Sequence, residues 1–135
     1  MATFIKINSF VENLAEKAID LSGAALTVAL TNTAHTSTWD ELADLTQVAY
    51  TNLSARVLTV STSAQTAGTY KLVLADLVLT ASGVVGPFRY VYIYDDDSTG
   101  DKLIAYYDYA SAVTMASGDT FTLDFDGSAG ALTIA

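Results

Sequence analysis

From Phe88 to Tyr94 the chain alternates, with Phe88, Tyr90, Tyr92 and Tyr94 on one face and Arg89, Val91 and Ile93 on the other. That is the period of two that an extended strand imposes. Both faces are largely apolar, so the pattern predicts a central strand with neither face open to water. A return arm, Lys102 to Tyr109, alternates Leu103, Ala105, Tyr107 and Tyr109 against Ile104, Tyr106 and Asp108, and the residues between the arms are rich in Asp, Ser and Gly. Residues 85–110 therefore read as one long β-hairpin. Six of the eight tyrosines fall in it, and a side chain with a dry body and a polar tip suits a core margin or an interface.

Ahead of the hairpin the period becomes helical. Ser9 and Glu12 have capping-box spacing, Phe10, Val11, Leu14, Ala15, Ala18, Ile19 and Leu21 form an apolar stripe, and Gly23 stands where a helix would end. An amphipathic helix over about 10–21 is predicted. Its polar face sets Glu12 against Glu16 and Glu16 against Asp20, both repulsive pairs, so packing has to hold it. The arm before it, residues 1–8, puts Ile5 and Ile7 on one side and Phe4 and Lys6 on the other. It reads either as a strand of its own sheet or as an arm that adds to a neighbour's sheet edge.

Further strands are predicted at Ala25–Thr31, Arg56–Thr62, Thr69–Leu74, Asp76–Thr80, Asp119–Phe125 and Ala131–Ile134, with a short helical turn at Trp39–Asp44. Seven or eight short strands, with no second helix to cross over a parallel sheet, argue for an antiparallel β-sandwich, jelly-roll-like or immunoglobulin-like. The expected organisation is one mainly-β domain, 1–135, with a single N-terminal amphipathic α-helix.

Charge narrows the partners. With 15 acidic and 6 basic residues the formal charge is −9, which repels nucleic acid and anionic lipid. No apolar run approaches a membrane span, and the first residues lack the pattern of a secretory signal, so use without export by that route is expected. The absence of cysteine removes disulfides and thiolate chemistry.

Candidate chemistry is sparse. Asp95, Asp97, Thr99, Gly100 and Asp101 follow the first half of a calcium loop, but Tyr106 stands where the bidentate glutamate belongs and both flanks read as strands. A solvated acidic tip is the expectation, with Asp95, Asp97 and Asp101 the only candidate metal ligands. His35, the single histidine, lies in a polar loop with no partner at a diagnostic spacing and reads as a plain loop residue. Asp124 and Asp126 share a strand face and read as solvated rather than as an acid and base pair. Tyr106, Tyr107 and Tyr109 read as core or interface packing, with sugar stacking as the alternative. No cofactor is implied.

The strings FVENLAEKAIDL (10–21), LTVALTNTAH (26–35), QTAGTYKLVLADLVLTASG (65–83), GPFRYVYIYDDD (86–97), LIAYYDY (103–109) and DFDGSAGALTIA (124–135) cover nearly the whole chain. In them the sequence resembles small virion structural proteins of tailed bacteriophages, of the head decoration or capsid cement type. That group often carries tryptophan where this chain has Tyr106 or Tyr107 and proline where it has Leu77. The resemblance implies a β-rich protein without enzymatic activity, made in the host cytoplasm and bound to the phage head. Its implied partners are the major capsid protein and further copies of itself. Phe4, Ile5, Ile7, Tyr106, Tyr107 and Tyr109 are the expected partner contacts. A tail or fibre component that binds a host-surface glycan is the alternative.

Overall fold

The computed structural model describes residues 2–22 and 25–135. In chain order the elements are β1 (Ile5–Lys6), α1 (Phe10–Ala15), β2 (Leu26–Thr31), a 3₁₀ turn (Leu42–Asp44), β3 (Val60–Thr66), β4 (Thr69–Leu74), β5 (Leu77–Thr80), β6 (Val85–Asp95), β7 (Lys102–Met115), β8 (Thr120–Leu123) and β9 (Leu132–Ile134). All strand pairs are antiparallel, in sheets ordered β1-β7-β6-β2, β3-β4-β9 and β5-β8. The architecture is the expected mainly-β sandwich with one short N-terminal helix, and its buried apolar side chains form one continuous cluster.

The hairpin predicted from the alternation is β6–β7, and β6 is central, with β2 along one edge and β7 along the other. Phe88, Val91, Tyr92 and Ile93 are all buried, Tyr92 at 0% exposure, which is what two apolar faces require. The tyrosine face is nevertheless divided. Phe88 packs edge-on against Phe121 of β8, whereas Tyr92 stacks on Tyr106 of β7, and a register shift lies between Phe88 and Tyr90. The extra β7 residues there include Ala110 at φ +68°, and such a bulge re-aims the side chains on either side of it. Gly86, at φ +107°, allows the close approach of β7, since a Cβ there would lie 2.6 Å from the Val113 carbonyl oxygen.

The helix is shorter than its stripe. It stops at Ala15, where Lys17 turns left-handed at φ +65° and the Ala18 and Lys17 N–H groups bond back to the carbonyls of Asn13 and Leu14. These are the paired bonds of a Schellman ending. Ile19 and Leu21 are buried all the same, beyond the helix rather than on it. The like-charge ladder Glu12–Glu16–Asp20 gave the longer helix no support, and Asp20 instead donates its N–H to Asp95 Oδ2 at 3.0 Å. Gly23, expected as the stop, lies outside the described residues. Ser9 makes no capping bond, because its hydroxyl is committed to Asp40.

One other expectation shifts. The strand expected at Arg56–Thr62 begins at Val60 and runs on to Thr66, closing on β4 through Ala67 and Gly68, both at positive φ. That two-residue turn matches the twist of the strands it joins. Residues Arg56 to Leu58 run instead beside β2, with Val28 N–H bonded to Arg56 O and Leu58 N–H to Leu26 O. Leu30 N–H, which faces the same side, is taken by the Tyr50 hydroxyl at 2.9 Å, and Val48 N–H bonds back to Leu30 O. The outer edge of β2 is thus sealed by irregular chain.

Truncating Tyr92 to Ala should cost on the order of 3–5 kcal/mol in urea unfolding, as for other large buried rings. Tyr50→Phe should cost about 1–2 kcal/mol by stranding the Leu30 N–H. A Tyr92→Ala midpoint equal to the parent's would refute the core assignment.

Candidate functional site

Three segments meet at one end of the central hairpin: the loop from His35 to Asp44, the start of α1, and the β6–β7 turn. Lys102, the first residue of β7, sends its ammonium to Asp40 Oδ2 at 2.6 Å and to Glu41 Oε1 at 2.7 Å. Asp40 Oδ1 receives the Ser9 hydroxyl at 2.5 Å and the Asn13 amide at 2.8 Å, so one carboxylate ties loop, helix and hairpin together. Burial pushes the Asp40 carboxyl up, but the bonds from Lys102, Ser9 and Asn13 outweigh it and hold it below the usual carboxylate range. Backbone bonds run alongside, from Leu42 N–H to Asp101 O and from Leu103 N–H to Asp40 O.

The hairpin tip differs from the solvated cluster expected. Asp95 is 3% exposed, and its two carboxylate oxygens accept the N–H groups of Asp20 and Asp97 at 3.0 and 3.1 Å. Its carbonyl accepts the Ser98 hydroxyl, which in turn accepts Lys102 N–H. Asp95 is therefore the residue that folds the turn, while Asp96 and Asp97 face solvent. Asp101 is pushed up by burial and by the charges of Asp96, Asp95 and Glu41. Among the described residues no group of three or more His, Cys, Asp or Glu side chains is arranged to hold a metal ion.

His35 is placed in an aromatic corner, not in a plain loop environment. Its Nδ1 lies 2.9 Å from the Tyr92 hydroxyl, its ring stacks on Tyr106 at 4.4 Å, and Trp39 meets it edge-on at 5.6 Å. Burial lowers the imidazole pKa, and burial together with Tyr106 and Tyr90 raises that of the Tyr92 phenol. Both shifts keep imidazole and phenol neutral, joined by one hydrogen bond whose donor is set by the imidazole tautomer. The pair satisfies a hydroxyl that β6 would otherwise bury alone. No signal of sequence spacing links His35 to Tyr92, 57 residues away.

The six expected contact residues separate. Ile7 and Tyr107 are core residues, Tyr107 packed between Phe4 and Phe125, so neither is a surface contact as the chain stands. Alternation placed Ile7 correctly opposite Lys6, but the face it shares with Ile5 turns inward as the chain enters α1. Phe4, Tyr106 and Tyr109 are half-buried, and Ile5 is exposed at 38%. The arm pairs in its own sheet, with Ile5 opposite Tyr106 and Lys6 opposite Ala105. Asp124 and Asp126 lie beyond the end of β8, both exposed, and Asp126 Oδ1 caps a turn by accepting the N–H groups of Ser128 and Ala129.

Comparison with family models, with curated proteins and with solved structures finds no match. The chemistry of this corner therefore stands on its own geometry. It holds a structure together: Asp40, Glu41, Asp95 and Asp126 fix backbone or an ammonium, and the one imidazole is stacked and hydrogen-bonded.

Two measurements follow. His35 titrates below its ordinary 6.5, so the unfolded chain takes up its proton first as pH falls; the stability His35 contributes is present above 6.5 and is lost as pH drops through the folded value. Asp40, lowered from 3.8, gives a second loss at more acid pH, partly countered by Asp101. Urea midpoints between pH 8 and pH 5 should fall for the parent and stay level for His35→Gln. Asp95→Ala should cost about 1–3 kcal/mol by orphaning two N–H groups, whereas chelator should leave the melting temperature unchanged. A chelator shift of about 10 °C, a couple of kcal/mol for a domain of this size, would require a metal site instead.

Proposed function

We propose that this chain is a structural component of a tailed-phage virion, of the capsid decoration type, bound to the outside of the head and bridging major capsid subunits. What carries this reading is the use of charge. Lys102 with Asp40 and Glu41, Arg89 with Asp108 in a two-bond fork of 2.7 and 3.0 Å, Asp95 in its turn, and Asp76 on the Phe125 N–H are all internal struts. Such a distribution suits a rigid part that works by surface complementarity. The β-sandwich agrees with this reading, and so does the resemblance noted above in the helix, hairpin and C-terminal strings. The location follows as the virion head after synthesis in the host cytoplasm.

A second reading, a tail or fibre component that binds a host glycan, draws on the half-exposed rings of Trp39 and Tyr106 around His35. Copy number separates the two. Quantitative mass spectrometry of purified particles should find on the order of hundreds of copies if the chain decorates a lattice, as repeated symmetric sites demand. A handful of copies would favour the tail reading, and none would overturn both.

A further inference from the structure

A trough runs along the surface between α1 with its C-terminal turn and β9. It consists of two adjoining hollows, one of about 410 Å³ and one of about 640 Å³, with Leu14 and Ile134 lining both. Phe10 and Leu14 floor the first, and Ile19 and Leu21 the second. The walls keep large apolar groups in water, Val11 at 52% and Ile134 at 43% exposure. The first hollow is bounded on its sheet side by Leu132, Thr133 and Ile134 of β9, the end strand of its sheet, while the second reaches past Ile134 to Tyr70 of β4 and Ser63 of β3; near the other side of the first lies Lys6 in β1, the end strand of another sheet. Neither edge has a further strand beside it among the described residues.

The charges around the trough say what would fill it. Of the six basic residues, Lys102 and Arg89 are ion-paired, Arg56 lies 3.7 Å over the Tyr50 ring, and Lys71 is bonded to Ser128 O. Lys6 and Lys17 are the two without such a bond among the described residues, and each lines one of the hollows. The acidic residue beside them, Asp20, has its carboxylate engaged by the N–H and hydroxyl of Ser22. On a chain of net charge −9, the uncommitted cations thus sit at an apolar trough between open strand edges.

We propose that this trough binds an extended segment of a partner protein, apolar at alternate positions, with Asp or Glu side chains at its flanks that meet Lys6 and Lys17. The segment adds to the free edge of β9, so main-chain bonds supply affinity while alternate side chains enter the first hollow and reach over Ile134 toward the second. The two lysines select acidic flanks and set the direction of the strand. This deepens the assembly reading by naming the partner chemistry, and rests on it only for the identity of the partner.

The probes are three acetylated nine-residue peptides: one alternating valine and threonine with a glutamate at each end, the same core with lysine ends, and a serine-only core with glutamate ends. Amide chemical shifts of the folded chain are followed on titration. The glutamate-ended apolar peptide should shift Leu14, Ile134 and their neighbours and bind at least 10-fold more tightly than either control. Val11→Asp and Ile134→Asp, each at an exposed site and each checked for an unchanged melting temperature, should weaken it at least 10-fold. Lys6→Glu with Lys17→Glu should reverse the preference toward lysine ends. Shifts that map elsewhere, no binding at millimolar peptide, or indifference to end charge would overturn the proposal. So would a dimer in sedimentation that Ile134→Asp dissolves, since a second copy would then be the occupant. Particle binding keeps the two readings apart: parent and Ile134→Asp occupying particles equally would sink the trough alone, whereas a parent absent from particles would sink the decoration reading while the peptide data still judge the trough.

Discussion

A strand paired along both edges and covered on both faces leaves no water for its polar groups, and from Tyr90 to Asp95 β6 is such a strand. Each hydroxyl and carboxylate it carries inward needs an internal partner, because an orphan there costs more than a made bond returns. The chain meets that demand with residues distant in sequence. His35 reaches the Tyr92 hydroxyl and the Asp20 N–H reaches the Asp95 carboxylate, while Arg89, which stays partly exposed, pairs with Asp108 on β7. Much of the long-range organisation of the molecule is the set of answers to one buried strand.

The cations too are mostly committed within the molecule, Lys6 and Lys17 being the exceptions among the described residues. Lys102 sits where the hairpin turn meets the loop before the 3₁₀ turn, and its two carboxylate partners would repel each other without it. Gly100, at φ +84°, stands against the Glu41 carboxylate, where a Cβ would come within 2.5 Å of Oε1, so a larger residue there would have to push that side chain aside. Aromatic rings continue this linkage through both layers, from Trp39 and His35 to Tyr106 on one side and from Tyr109 to Phe121 on the other.

Much of this was legible along the chain, and the rest failed for identifiable reasons. Alternation announced β6, β7, β2, β4 and β8 because a half-buried or fully buried strand must alternate or be apolar throughout. The helix was overextended because Ile19 and Leu21 keep helical spacing while being buried by a turn, and periodicity reports burial rather than backbone. The segment Arg56 to Leu58 has strand composition and does lie beside β2, yet as an irregular run whose partner alternation cannot name. His35 and Asp95 were misjudged for a shared reason: polar residues in loops look solvated until the tertiary fold brings their partners to them.

The covered edge of β2 has one more consequence. A sheet can be extended by copies of itself without limit only if two complementary edges are open, one to give and one to receive. With Arg56 to Leu58, Val48 and the Tyr50 hydroxyl occupying one side of β2, its sheet offers, among the described residues, a single open edge, at β1. Any pairing of this sheet with another chain therefore terminates after one step. Growth by repeated pairing would need a second sheet to take part, through an edge such as that of β9.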